Sequence, residues 1–292
     1  MVVYNYHIWP PRGIPMRKIV LLILLLPTLT IAGEIKVATW NIQFLNEDDN
    51  TGANPREQAD YDRLADYAAV LDADIIALQE VDGVNAIERV FDPAVYQVFA
   101  SGRNSVQRTG FAVRNGIDVT HNPDLEALNT TGFLRRGTDI TVRIGGTDIR
   151  LLSVHLKSGC FSDPLSTNSD ACTKLNDQVP ILEGWINDRS EEETPFIVLG
   201  DWNRRFDVGE DFWPMIDDGK PHNSDLRRIT KREDPLCWER QFDLFIDHIV
   251  FGRLSARWIK PYTFEQVVYQ DDVSLRPKLS DHCPIAVTLN MP

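Results

Sequence analysis

The sequence contains no run of 20 apolar residues, no glycine- and serine-rich linker and no internal repeat. A spanning helix needs roughly 20 apolar residues, and the stretch from Ile19 to Ala32 is shorter and interrupted by Pro27. With no linker or repeat to divide it, the chain beyond Ala32 reads as one domain. Also missing are a Walker-type phosphate loop, a G-x-S-x-G elbow, an H-E-x-x-H helix and a closely spaced cysteine pair. Their absence removes the usual signatures of nucleotide hydrolases, serine hydrolases and zinc sites. Basic residues are in deficit, 30 Lys and Arg against 43 Asp and Glu, for a net charge of −13. Such a surface repels polyanions at long range and argues against tight, non-catalytic nucleic-acid binding.

The beginning of the chain has the order of an export signal. After Met16 come basic "MRK", apolar "IVLLILLLPTL" and small "TIA", just ahead of Gly33. Residues 1–32 are therefore expected to be a leader and cleaved signal starting at Met16, and 33–292 the functional domain. Without the leader, 27 basic residues face 43 acidic ones, a net charge of −16. All four cysteines lie in this domain. An even number in an exported chain points to disulfides. Cys160 and Cys172 bracket the polar loop "CFSDPLSTNSDAC", where a bridge would stabilise by roughly 3 kcal/mol. Cys283, in "HCPIAV", is open between a bridge and a buried free thiol.

Hydrophobic periodicity then sketches the elements. "EIKVATWNI" reads as a strand, "REQADYDRLADYAAVLD" as an amphipathic helix and "ADIIALQEV" as a second strand, together a βαβ unit. "TGFAVRN" and "FLRRGTDITVRIGGTDIRLLSVHLK" read as antiparallel strands. "KLNDQVPILEGWIND" reads as a helix with Leu175, Val179, Leu182 and Ile186 on one face despite Pro180. Three further strands lie in "PFIVLGDWN", "FDLFIDHIVFG" and "CPIAVTLN". Many strands and few helices point to an α/β fold with two sheets face to face and helices outside.

Polar residues recur where these strands end. They are Asn41 in "TWN", Glu80 in "LQE", His155 in "SVHLKS", Asp201 and Asn203 in "LGDWN", Asp247 in "FIDHIV", and Asp281 with His282 in "SDHCPI". Burying such groups without partners is costly. One of them would read as a turn or a satisfied core group, but their recurrence on six strands points to a shared cleft. Carboxylates and amides suit a hard cation, and two histidines among carboxylates suit proton transfer. Metal-assisted hydrolysis by water is the most economical chemistry. His248, next to Asp247, should face away by strand alternation and read as structural.

"TWNIQ", "IALQEV", "HLKSG", "LGDWN", "FIDHIV" and "SDHCPI", in this order, resemble the endonuclease/exonuclease/phosphatase superfamily over about residues 34–290. That group contains deoxyribonuclease I, repair nucleases, neutral sphingomyelinases and inositol-polyphosphate phosphatases. The resemblance implies a four-layered α/β sandwich with a divalent metal, Mg²⁺ or else Mn²⁺ or Ca²⁺, at the top of two central sheets. By motif, Glu80 would be the main metal ligand, with Asn41 beside it and Asp281 as a further contact. Asp201 and Asn203 would position water and phosphate. His282, oriented by Asp247, would act as general base or phosphate-polarising acid, with His155 across the phosphate. Arg135 and Arg136 in "FLRRG" lie where the family contacts substrate phosphate, and on a strand only one could face the cleft. Gln43 stands where the repair branch has an acid, and Gln107 near where the deoxyribonuclease branch pairs its histidine with a carboxylate.

The expectation is a secreted or periplasmic, monomeric nuclease acting on DNA or RNA, with no stable protein partner and no membrane insertion of the mature chain. Readings of the same fold as a sphingomyelinase, a phosphoinositide-type phosphatase or an inactive binding protein stay open. The aromatic stretches "EDFWPMI" and "RWIKPYTF" are the nearest candidates for a lipid-facing segment, and "RRITKR" is a partial basic pocket.

Overall fold

The structure is a computed structural model that describes residues 33–292 apart from 103–104, 209–210, 223 and 240. The leader, the signal and the Met16 start lie outside the described residues. In chain order the elements are β1 (Glu34–Leu45), α1 (Gln58–Leu71), β2 (Ile75–Val81), α2 (Val84–Glu88), β3 (Tyr96–Ala100), β4 (Arg108–Arg114), β5 (Asp118–His121), β6 (Thr138–Ile144), β7 (Thr147–His155), α3 (Asp170–Glu191), β8 (Phe196–Asp201), α4 (Trp213–Ile216), β9 (Arg227–Arg228), β10 (Asp247–Phe251), β11 (Glu265–Gln266) and β12 (Ile285–Asn290).

They form two six-stranded sheets, ordered β11-β12-β1-β2-β4-β3 and β5-β6-β7-β8-β10-β9. Each sheet has one parallel pair near its middle, β1 with β2 and β7 with β8; every other pairing is antiparallel. A parallel neighbour needs a crossover, and α1 and α3 are those crossovers. Both faces of the central strands are therefore covered, which is why they read as near-continuous apolar runs. Ile75, Ala77 and Phe111 of one sheet meet Leu151, Ile197 and Leu199 of the other in the middle layer. Alternate residues Ile76 and Leu78 pack outward with Tyr61, Leu64 and Leu71 of α1. Leu152, Val154 and Val198 pack outward with Leu175, Val179, Leu182 and Ile186 of α3. Helix, sheet, sheet, helix is the four-layered α/β sandwich.

Toward the carboxyl ends of the parallel strands the middle layer turns polar. Thr39 donates to Gln79 at 3.2 Å, and Gln79 donates across to Ser153 of the opposite sheet at 3.1 Å. Thr109 and Thr138 share a hydrogen bond of 2.7 Å. These paired groups satisfy one another in the interior, where unpaired they would each cost about 1–3 kcal/mol.

Two local readings change, and one open choice closes. Arg135 and Arg136 are not on a strand, because Gly137 bridges to Leu125 and β6 begins only at Thr138. The strand expected from residue 242 starts at Asp247; the stretch before it turns Phe242, Leu244 and Ile246 toward a pocket instead. Cys283 is not a free thiol but is bridged to Cys237, while Cys160 is joined to Cys172. Pro180 sits within α3 without ending it.

Candidate active site

The polar strand ends meet at one end of the sandwich, and local backbone devices aim them. Glu80 lies between Gln79 and Val81, where the pairing of β2 with β4 shifts register, and it has φ of 61°. A bulge of this kind re-aims a side chain. Here it points the carboxylate into the cleft rather than along the alternation of β2. On β1 the register shifts between Asn41 and Leu45, with Gln43 and Phe44 at φ of 49° and 51°. Gly200 in "LGDWN" answers a third constraint. A Cβ there would stand 2.0 Å from the carbonyl oxygen of Val154, so only glycine lets β8 lie against β7 at this height. The backbone N–H of Asn203 then donates to Asp201 Oδ1 at 2.9 Å, and Asn203, at φ of 51°, donates its amide to Leu156 O at 3.1 Å.

Asp201 Oδ2 is the hub of the cluster. Asn41 Nδ2 donates to it at 3.1 Å and to Glu80 Oε1 at 3.3 Å. His155 Nε2 lies 3.5 Å from Asp201 Oδ2 and 3.7 Å from Glu80 Oε1, and His282 Nε2 is 3.9 Å from Asp201 Oδ2. His282 Nδ1 donates to Asp247 Oδ2 at 2.7 Å, and its Nε2 also faces Asp281 Oδ1 at 3.9 Å. Asp201 is 2% exposed. Burial pushes its carboxyl up to about 7 against the pull of His282, with Asp247 adding to the rise. Burial pulls the His282 imidazolium the other way, but the charge and hydrogen bond of Asp247, aided by Asp201 and Asp281, hold it well above its ordinary value. Both groups are thus shifted toward their protonated forms, the carboxyl by burial and the imidazole by the carboxylate of Asp247.

Glu80 Oε2 and Asp247 Oδ1 are buried and have no hydrogen-bond partner among the described residues. Orphaned carboxylate oxygens in an oxygen-rich cluster fit a hard divalent cation. Asp201, Asp247 and His282 also bring one ligand-type atom each within 4.8 Å of one another. Because His282 and Asp247 are already hydrogen-bonded to each other, that trio reads as a proton-handling group, and the orphaned Glu80 oxygen as the cation-facing one.

The cleft encloses about 290 Å³ and is lined by Glu80, His155, Asp201, Asn203, Asp281 and His282, with Gln107, Arg135 and Arg205 among the others. The two neighbouring arginines separate. Arg135 lines the cleft and donates to Leu156 O at 2.8 Å, while Arg136 pairs with Glu126 at 2.5 Å and does not line it. The sequence left the choice between the two open, and Arg135 is the one that lines the cleft. His248 faces away from the cleft, as alternation requires. Its Nε2–H donates to Arg204 O at 2.8 Å, so Nδ1 accepts from Thr230 at 2.6 Å. Burial drives its pKa down to about 3, leaving it neutral.

Sequence reasoning missed the residues that hold the first and last motifs of the set together. Gln43 Oε1 accepts from the Asp281 N–H at 3.0 Å, and Ser280 Oγ donates to Asn41 O at 2.7 Å. Arg56 is fully buried and donates to the carbonyls of Ile42, Gln43, Phe44, Lys278 and Leu279, clamping the segment after Asn41 to the segment before Asp281. Gln43 is visible in the sequence only as a departure from an acidic position, and nothing in "NPREQ" distinguishes Arg56 from a surface arginine. Arg205 and Phe161 also line the cleft, with the guanidinium 5.7 Å from the ring centroid.

Solved structures with the same fold include truncated Caenorhabditis elegans TDP2 (18% identity, 88% of this chain and 98% of that one, TM-score 0.61). D. rerio TDP2 complexed with a single strand DNA product is 20% identical over 88% of this chain and 99% of that one, with a TM-score of 0.57. The 3' phosphatase NExo from Neisseria, bound to a product DNA hairpin, is 17% identical over 87% of this chain and 98% of that one, with a TM-score of 0.53. Curated protein sequences give no match. The profile described as "Endonuclease/Exonuclease/phosphatase family" matches residues 38–282, which contain every polar strand end described above. The chain belongs to the endonuclease/exonuclease/phosphatase family and is a hydrolase of the phosphoesterase type.

Proposed function

We propose that the protein is a divalent-cation-dependent phosphodiesterase that hydrolyses nucleic acid, DNA or RNA, by attack of water. The observation that carries this reading is the hub at Asp201 Oδ2, with Asn41, His155 and His282 at 3.1, 3.5 and 3.9 Å. Glu80, Asn41 and Asp281 would hold the cation, Mg²⁺ first and Mn²⁺ or Ca²⁺ as alternatives. When bound, it supplies positive charge to the phosphoryl oxygens as negative charge builds there. Asp201 accepts the proton of the attacking water at Oδ2, and Asn203 orients that water and the phosphate. His282, its Nδ1–H committed to Asp247, presents Nε2–H to a phosphoryl oxygen. His155 and Arg135 are the further cleft donors for the phosphate. General acid–base groups of this kind contribute about 10²–10⁴-fold each.

Nucleic acid is preferred as substrate because two similar structures, of D. rerio TDP2 and Neisseria NExo, contain DNA products. The two disulfides and the leader pattern support work in an oxidising compartment, secreted or periplasmic. Among the described residues no helix is long and apolar enough to cross a membrane, and a monomer without a stable protein partner remains the reading. The test is hydrolysis of supercoiled DNA, linear DNA, RNA and sphingomyelin vesicles in Mg²⁺ or EDTA, beside His282→Ala. Cation-dependent nicking of the circle, lost in the variant, is expected. Cleavage of the lipid alone would replace the substrate, and silence on all four would favour a binding protein.

A further inference from the structure

A second cavity among the described residues is larger than the cleft. A groove of about 710 Å³ runs between the segment around β9 and the stretch from Ile259 to Phe264. The fold has gathered here the three motifs that the catalytic reading left over. Trp213 and Pro214 come from "EDFWPMI", Arg227 to Arg232 from "RRITKR", and Lys260 to Phe264 from "RWIKPYTF".

The charge of the groove runs against that of the molecule. Five of its lining residues are cations and three are acids, on a chain whose net charge is −13. Two of the acids are engaged locally. Asp207 pairs with Arg228 at 2.6 Å, and Asp217 accepts from Trp213 Nε1 at 2.9 Å. Arg227, Lys231 and Arg232 are exposed and have no ion pair among the described residues. A row of free cations on an acidic protein has a polyanion as its complement.

Aromatic surface interleaves with that charge. Arg228 sits 5.2 Å from the ring centroid of Phe206 and 5.5 Å from that of Trp213, forming the floor. On the rim, Tyr262 is 104% exposed relative to a reference tyrosine and has φ of 62°, while Arg232 has φ of 74°. Left-handed conformations at bulky residues are costly and gather at binding sites. A fully exposed tyrosine held out this way buries nothing within its own chain. Cations that follow a backbone together with rings on which bases stack are the components of a single-strand nucleic-acid channel.

The groove also adjoins the cleft. Arg205 lines the catalytic cleft, and the next residue, Phe206, lines the groove. We propose that the groove between β9 and the Ile259–Phe264 segment binds single-stranded nucleic acid, holding the strand outside the catalytic cleft through Arg227, Lys231, Arg232 and Tyr262. This rests on nucleic acid being the substrate class, and it adds a site that no cleft residue supplies.

The test measures fluorescence anisotropy of a labelled 20-nucleotide oligodeoxythymidylate on the Glu80→Gln protein, with and without Lys231→Glu/Arg232→Glu or Tyr262→Ala. The same groove substitutions are placed in the unmodified chain and assayed on bis(p-nitrophenyl) phosphate, a diester too small to reach the groove. The expected result is affinity about 10-fold weaker for the charge reversal and about 5-fold weaker for Tyr262→Ala. The salt dependence of log K should flatten by about 1.4 for the two lost phosphate contacts, with hydrolysis of the small diester unchanged. Equal oligonucleotide affinity in all proteins overturns the proposal. So does charge reversal that abolishes binding to phosphatidylglycerol vesicles while leaving the oligonucleotide untouched. Small-diester hydrolysis without oligonucleotide binding overturns the groove and leaves the phosphodiesterase. Groove-dependent binding in a chain that hydrolyses no diester upholds the groove and overturns the phosphodiesterase.

Discussion

The two faces of β10 place two aqueous-type side chains one residue apart in opposite electrical worlds. On the inner face Asp247 receives the Nδ1–H of His282, and that imidazole is held well above its ordinary pKa although it is only slightly exposed. On the outer face His248 is fully buried, meets a hydroxyl, a carbonyl and the Phe206 ring, and falls to about 3. Burial acts on both in the same direction. What separates them is whether a carboxylate stands within hydrogen-bond reach, so burial alone does not identify a functional histidine; the partner does.

The largest effect sharpens this contrast at its charged end. His282→Ala is expected to lower kcat by about 10²–10⁴-fold with little change in melting temperature, read by steady-state kinetics and thermal unfolding. An equal loss in His248→Gln would break the comparison. Next comes the covalent support of the inner face. Removing the Cys237–Cys283 bridge, which closes a separation of 46 residues beside His282, should cost about 4 kcal/mol on the chain-entropy account. Denaturant melts of Cys237→Ser/Cys283→Ser measure it, and a loss no greater than that from opening Cys160–Cys172 would contradict the entropic reading.

Asp247→Asn tests the partner itself. It keeps the shape but removes the charge, and kcat should fall about 10²-fold while the His282 resonances titrate at lower pH in NMR; unchanged titration would mean another group sets that charge. The outer face has its own signature in stability. Below pH 6.5 the unfolded chain takes a proton at His248 that the folded chain refuses down to about 3. Stability should therefore fall as pH drops, with this residue contributing about 1.4 kcal/mol per pH unit well inside that window. Urea melts at pH 6.0 and 4.5 should show a shallower slope in His248→Gln and unaltered activity at pH 7. The smallest effect is Thr230→Val, which leaves His248 Nδ1 without its donor and should cost about 1 kcal/mol, a melting shift of about 2–4 °C.

Much of the fold is legible in the chain because both parallel pairs are covered on both faces and announce themselves as apolar runs ending in polar residues. Asn41, Asp201 and His282 stand where period-two reading puts a strand's end. Glu80 is legible as a residue but not as a geometry, since alternation has no term for the bulge that turns it. Arg135 and Arg136 look equivalent on a strand that Gly137 in fact delays, and tertiary pairing with Glu126 decides between them. Arg56 and the Gln43–Asp281 link are illegible for a different reason. Each reaches a backbone group roughly 220 to 240 positions away, and no local pattern encodes a contact of that span. The groove is present as three scattered motifs whose meeting only the fold supplies.

The Cys237–Cys283 bridge ties the residue after His282 to a stretch of chain 46 positions earlier, so the last motif of the cleft has a covalent tether as well as its hydrogen bonds. While thiols stay reduced the chain lacks that tether, and the contrast in denaturant melts above gives its weight. A hydrolase built this way carries a covalent brace one residue from an imidazole of its cleft, so the same bond that adds stability also limits how far that imidazole can drift.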